Sequence, residues 1–371
     1  MRLPSISAIG LTKRFGSIKA IDDISFDVKN GEYTCILGST GSGKTTLLRL
    51  ISGIIQPTEG DIEFQGRRMN EVPAEERNAV YVPQTYALFP HLTVLENVSY
   101  GPLSKNYSHA EAEESAMRVL RMVKLDHRVD SYPNELSGGM QQRVALARGL
   151  ASGSKTLLLD EPLGALDARL RLELRGELRK LAKESELTVI HVTHDQEEAM
   201  AIGDRILVLR YGKLQQYSTP FHVYNRPRNL FVANFVGNTN FLEGIVEKRD
   251  LFGSVIRLRE GLQVKVADIS FETNESIVVA LREEKLMISP EPYPAESENR
   301  LSGEVIETHF LGEWVRYSVR LVNGDVISSR VPVGSSLELR NGSWASLSFE
   351  PVNTYVYESP AIGLQSELEV Y

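Results

Sequence analysis

The stretch Gly38-Ser39-Thr40-Gly41-Ser42-Gly43-Lys44-Thr45-Thr46 limits what this chain can fold into more than any other. It matches G-x-x-x-x-G-K-[ST], a phosphate-binding loop, and its flanks suit one. Tyr33-Thr34-Cys35-Ile36-Leu37 before it reads as a short apolar strand, and Thr45 to Ile51 after it as the first turns of a helix. Glycine permits backbone angles that turn successive N–H groups towards a polyphosphate, and a helix N-terminus adds partial positive charge at the same point. In such a loop Lys44 reaches the β- and γ-phosphates, and the Thr45 hydroxyl ligates the accompanying Mg²⁺. The pattern predicts a nucleotide-binding chain.

The rest of the first 236 residues fits a sheet built around that loop. Ile24, Phe26 and Val28 alternate with polar neighbours as in a half-exposed strand, and Asn30-Gly31 supplies a turn into the loop strand. Further strands are expected at Asp61 to Phe64, Val80 to Val82, Leu157 to Leu159, Thr188 to Val192 and Ile206 to Leu209. Helices are expected near 109–124, from about Leu166 to Glu184 and from Asp195. Strands alternating with helices make this an α/β P-loop fold, and the unbroken apolar run at Leu157 to Leu159 suits a parallel sheet covered on both faces. The pattern changes near Asn238, beyond which short alternating strands and Gly turns predominate. Asn240-Phe241-Leu242-Glu243-Gly244-Ile245-Val246, with Gly253, recurs 59 positions on (299 − 240) as Asn299-Arg300-Leu301-Ser302-Gly303-Glu304-Val305, with Gly312. Two related β units closing a small barrel are expected, joined by a loop over 290–294. The expected domains are thus 1–236, with a helical subdomain at about 86–152, and 237–371.

A formal charge of −8 argues against a nucleic-acid partner. Cys35, the single cysteine, reads as a small buried hydrophobe, and its isolation points to a reducing compartment. No apolar run reaches the ~20 residues of a membrane helix, so any membrane role is expected to pass through a partner.

Two further stretches carry chemistry. Thr156-Leu157-Leu158-Leu159-Asp160-Glu161 is a strand ending in carboxylates, the first suited to hold Mg²⁺ and the second to polarise a water against the γ-phosphate. Leu136-Ser137-Gly138-Gly139-Met140-Gln141-Gln142-Arg143 opens a helix and makes a second anion-binding terminus. One phosphate loop and one separate cradle suggest two facing chains, each closing the other's nucleotide site.

Together these motifs resemble the ATP-binding cassette family over residues 5–235. The resemblance makes residues 38–46 the Walker A loop, Leu136–Arg143 the signature with Ser137, Gly138, Gly139 and Gln141 on the partner's nucleotide, and Asp160-Glu161 the Walker B end. Gln84 is similar to the Q-loop glutamine that senses metal and water, Asp167 belongs to a D-loop, His194 resembles the switch histidine, and Phe15 stands where the adenine is stacked. It implies ATP and Mg²⁺ as cofactors, the metal on Thr45, Gln84 and Asp160, and catalysis by Glu161, His194, Lys44 and Gln84. A cassette followed by a repeated β module resembles the ATPase subunits of binding-protein-dependent importers, whose C-terminal barrel is called TOBE. That implies a homodimer at the cytoplasmic face of the cell membrane, contacting permease subunits through 84–100 and, indirectly, an extracytoplasmic solute-binding protein. The run after Gly139 is more similar to the polyamine, iron and oxyanion branch; a sugar-importer ATPase shared by several permeases, or a free-standing cassette ATPase, is the alternative. DNA-maintenance relatives need a long heptad insertion between Gln84 and Ser137, and two-cassette translation factors need a second Walker A; this chain has neither.

Overall fold

The structure, a computed structural model, describes residues 3–291, 297–336 and 338–369. The chain forms two compact units that meet between Asn225 and Arg226. The expected boundary, 236/237, falls later than this. Residues 226–236 belong with the β unit because buried polar groups tie them there: Arg282 Nη1 donates to the Ala233 carbonyl at 2.6 Å and the Tyr357 hydroxyl to that of Pro227 at 2.9 Å.

The first unit is built on a six-stranded sheet ordered 213–218, 205–210, 33–38, 188–192, 156–160, 79–82. All neighbours run parallel except the first pair. Strands Tyr33–Gly38, Thr156–Asp160 and Thr188–Val192 are buried at every position, which is why each reads as a continuous apolar run. A second, antiparallel sheet holds Ile6–Phe15, Ile18–Val28 and Glu59–Phe64, and residues 24–28 of its second strand alternate buried with exposed. Helix Lys44–Ser52 shares one core with both sheets: Leu47, Leu48, Leu50 and Ile51 pack with Ile6, Ile24, Ile62, Leu158 and Ile190. Helices Val94–Ser104, His109–Met122 and Gly138–Ala151 pack on one another as the helical subdomain.

The expected elements are present, with shifted ends. The helix expected from Leu166 starts at Ala168, because the Asp167 carboxylate accepts from the Leu170 N–H and caps it. Helix Val94–Ser104 was not legible as one, since Gly101 and Pro102 interrupt its pattern. Its start is nonetheless written in the chain: Thr93 and Glu96 form a reciprocal capping box.

The second unit holds two five-stranded antiparallel sheets that share a single core. The 59-residue repeat is structural. Strands Thr239–Asp250 and Asn299–Phe310 hold the same place in the two sheets, and each bulges at matching positions, Val246/Lys248 and Val305/Glu307. Gly244 and Gly303 sit where a Cβ would collide with the neighbouring strand. The order in one sheet is 263–266, 253–258, 239–250, 276–282, 354–358, and in the other 326–332, 314–321, 299–310, 344–349, 287–290. The outer strand of each sheet therefore continues from the other repeat, so the halves are exchanged. Of the loop expected over 290–294, residues 292–294 lie outside the described residues.

The repeated asparagines join the sheets. Asn240 accepts from the Ser328 N–H at 2.7 Å and donates to the Ser328 carbonyl at 2.8 Å. Asn299 does the same for Lys265, at 2.6 and 2.8 Å. Each side chain thus imitates a ladder residue for an edge strand of the opposite sheet. Asn240→Ala or Asn299→Ala is expected to strand a backbone pair and to destabilise this unit by about 1–3 kcal/mol. Both tryptophans, Trp314 and Trp344, lie in this unit, so tryptophan fluorescence during urea unfolding isolates its transition.

Candidate functional site

Several loops leave the carboxyl edge of the parallel sheet together, among them those after Gly38, Val82, Asp160 and Val192. In register Ile36 and Asp160 both pair with Val192, so the chain after Gly38, after Asp160 and after Val192 emerges at one level. This is where ligands bind in sheets of this type. A cavity of about 520 Å³ opens there, lined by Gly41, Gly43, Lys44, Thr45, Gln84, Glu161 and His194, among others.

The loop is held by its glycines and its lysine. Gly43 caps the helix with φ 103°, and a Cβ there would meet the Ala20 carbonyl at 2.5 Å. Lys44, 8% exposed, spans the loop and donates to the carbonyls of Gly38 and Ser39 at 2.8 Å each. Burial pushes its pKa down, against the opposing pull of Glu161 and Asp160. The Ser42 carbonyl accepts from the Gly212 N–H at 3.0 Å, which fastens the loop to the hairpin between strands Arg205–Arg210 and Lys213–Ser218.

Asp160 is 2% exposed and accepts from Thr45 Oγ1 at 3.2 Å and from the Tyr81 hydroxyl at 3.1 Å. Burial raises its pKa, and those two hydrogen bonds offset part of the rise. A buried carboxylate beside a threonine hydroxyl is a hard-oxygen donor set that fits Mg²⁺. Next to it Glu161 has the left-handed φ of 49°, costly for a non-glycine residue and a mark of functional turns. Its N–H donates to the Val192 carbonyl at 2.9 Å, and Gln84 Nε2 donates to Oε2 at 3.0 Å. His194 Nδ1 lies 3.5 Å from the same oxygen, and its side chain is 64% exposed.

The structure therefore brings Lys44, Thr45, Asp160, Glu161, Gln84 and His194 together. The signature residues lie elsewhere. Ser137 caps helix Gly138–Ala151, accepting from the Met140 N–H, and it and Gly138 are exposed outside this cavity. Gln141 turns back on its own loop, donating to the Pro133 carbonyl at 2.7 Å. Asp167 acts as a helix cap, and Phe15 is half-exposed at its strand end under the Lys13 ammonium.

Two residues of the site had no distinct signal in the sequence. Tyr81 is one apolar-looking position in a short strand. Gln142, buried, donates to the Glu161 carbonyl at 2.8 Å and accepts from the Ala165 N–H at 2.9 Å, so it fixes both ends of the turn after the carboxylates. Its neighbour Gln141 looks identical in sequence, and only the helix phase separates them. Gln142→Ala is expected to lower the maximal ATP hydrolysis rate about tenfold, roughly 1.4 kcal/mol, measured as phosphate release at saturating ATP.

Segment 84–100 folds into a loop and the start of a helix. Phe89 and Tyr100 pack with ring centroids 4.6 Å apart, the Arg148 guanidinium lies 5.1 Å from the Phe89 ring, and Arg148 Nη2 donates to the Ala87 carbonyl at 2.9 Å. Together with Val82 and Gly101 they border a shallow hollow of about 260 Å³.

The ABC transporter family model matches residues 21–164, and the TOBE domain model matches 279–356. Among curated proteins, the spermidine/putrescine import ATP-binding protein PotA of Rubrobacter xylanophilus is 42% identical over 344 residues, covering 92% of this chain and 90% of that protein. Its namesake from Trichodesmium erythraeum is 40% identical over 327 residues, 86% of each. Among solved structures, a dimeric ATP-binding cassette in a post-hydrolysis state bound to ADP and Pi aligns with a TM-score of 0.54 and 35% identity, covering 58% of this chain and 98% of that one. The phosphate loop, the signature stretch and the paired carboxylates all fall within residues 21–164, and with relatives this similar along nearly the whole length the chain belongs to the ATP-binding cassette transporter family, an ATPase joined to a TOBE domain.

Proposed function

We propose that this chain is the ATPase subunit of a binding-protein-dependent importer, that it works as a pair of identical chains, and that the imported solute is a polyamine. The observation carrying the paired reading is the separation of the two anion-binding termini. The cavity at the phosphate loop is lined by Lys44, Glu161, Gln84 and His194, whereas Ser137 and Gly138 are exposed and do not line it. A terminus of that kind suits a phosphate, and a second copy provides one. Two similar solved structures are dimeric, which supports a pair. The polyamine assignment is supported by the names of the relatives that align along nearly the whole chain.

In this reading the loop amides and Lys44 hold the β- and γ-phosphates of ATP, and Phe15 stacks on its base. Thr45, Asp160 and Gln84 hold Mg²⁺, which offsets phosphate charge when bound. Glu161 orients and deprotonates the attacking water; Gln84 fixes the glutamate rotamer, and His194, 3.5 Å from the same Glu161 oxygen, faces the γ-phosphate. Ser137, Gly138, Gly139 and Gln141 of the second copy, with its Asp167, complete the enclosure. ATP then favours the closed pair and hydrolysis the open one, a shift between two populations. The hollow beside Phe89, Tyr100 and Arg148 receives a helix of the permease, which places the chain peripherally at the cytoplasmic face of the membrane. Among the described residues no helix is long and apolar enough to cross a membrane.

Glu161→Gln is expected to retain ATP affinity, reduce hydrolysis by at least about a hundredfold and accumulate as an ATP-dependent dimer in light scattering. Normal turnover in that variant removes Glu161 from its role. The same variant, tagged and loaded with ATP, is expected to recover a multi-span permease from detergent-solubilised membranes. A soluble partner set with no permease overturns the importer reading. Loss of labelled putrescine uptake in cells lacking the chain tests the solute, and unchanged uptake overturns it.

A further inference from the structure

Two loops flank the reacting end of the site: the stretch after Glu161, through Gly164-Ala165-Leu166, and the turn Thr193-His194-Asp195. One side chain touches both. Arg171, in the first turns of helix Ala168–Glu184, donates through Nη2 to the carbonyls of Leu166 at 2.9 Å and Gly164 at 3.3 Å. Its Nη1 lies 3.5 Å from Asp195 Oδ2.

Helix stability does not explain this position, because a cation near a helix N-terminus opposes the helix dipole. The contacts it makes are all to other loops. On the far side, Asp195 divides its carboxylate: Oδ1 accepts from the Glu198 N–H at 2.9 Å and caps the next helix, while Oδ2 faces Arg171 and, at 3.7 Å, Arg175. Thr193 is pinned as well, since its hydroxyl accepts from the Asp195 N–H at 3.0 Å and reaches the buried Glu198 carboxylate at 3.3 Å. The backbone on both sides of His194 is therefore fixed, and Arg171 is the link from that backbone to the Gly164–Leu166 carbonyls.

We propose that Arg171 is a positioning residue that couples the loop after Glu161 to the turn carrying His194, so that the two shift as one body. This rests on the paired reading above, in which Asp167 of each copy helps close the other's site, so that closure bears on the loop ending at Asp167. Displacement of that loop is then passed through a planar guanidinium holding three acceptors to the backbone of the histidine facing the γ-phosphate. Closure of the pair and placement of His194 become a single event.

Arg171→Ala is expected to lower kcat for ATP hydrolysis about tenfold while KM for ATP stays within about twofold, since no contact to bound nucleotide is removed. Asp195→Asn keeps the helix cap and removes the charge that faces Arg171, and it is expected to reproduce the loss without touching helix Ala168–Glu184. The double variant is expected to be no slower than either single one, and in a His194→Ala background Arg171→Ala is expected to add nothing. A structural role alone gives multiplying losses in both comparisons, and that result overturns the coupling. So does full kcat in folded Arg171→Ala or, should that variant fail to fold, in Asp195→Asn. If His194→Ala itself hydrolyses ATP at the parent rate, the fault lies in the role given to His194, not in the coupling. A slow His194→Ala beside a full-rate Asp195→Asn sinks the coupling alone.

Discussion

The site depends on the register of three buried parallel strands. Residues 33–38, 156–160 and 188–192 are buried throughout, and their pairing sets Gly38, Asp160 and Val192 at one edge. A slip by one residue would turn each side chain to the opposite face. It would also carry Asp160 away from Thr45 and separate Glu161 from the Val192 carbonyl that holds its strained turn. The polar chemistry at this edge is therefore fixed by apolar packing beneath it, in the core shared by helix Lys44–Ser52 and both sheets.

Above that edge the loops are tied by buried and half-buried polar side chains. Gln142 holds the turn after Glu161 from the signature helix, and Arg171 and Asp195 hold its continuation from the other side. Such links are directional, holding particular donor and acceptor atoms in one geometry. The carboxylates Asp160 and Glu161 sit among these ties within reach of Lys44, whose ammonium burial makes less basic. On the paired function proposed above, such a site stays incomplete in one chain and becomes competent when a second chain supplies the remaining donors.

The C-terminal unit solves a different problem with the same means. Two repeats exchange their outer strands, share one core and bridge between sheets through Asn240 and Asn299. An amide side chain presents one donor and one acceptor, as a peptide group does, and so it can stand in for a ladder residue where no strand is available. The matching bulges and the matching glycines make duplication of one β unit the simplest account of its origin.

Much of this was legible in the chain. The phosphate loop, the carboxylates after Leu159, the helix opened by Ser137 and the 59-residue repeat depend on local backbone preference and spacing, which sequence carries directly. The capping pair Thr93 and Glu96 was equally local, although Gly101 and Pro102 masked the helix it starts. Tertiary structure alone decided that Gln142 rather than Gln141 reaches the Walker B turn, that Tyr81 meets Asp160, that Arg171 joins two loops, and that the unit boundary falls at 225/226. Each of these joins residues far apart in the chain or turns on which face of an element is covered. That is settled by packing and register, and no stretch of sequence encodes it alone.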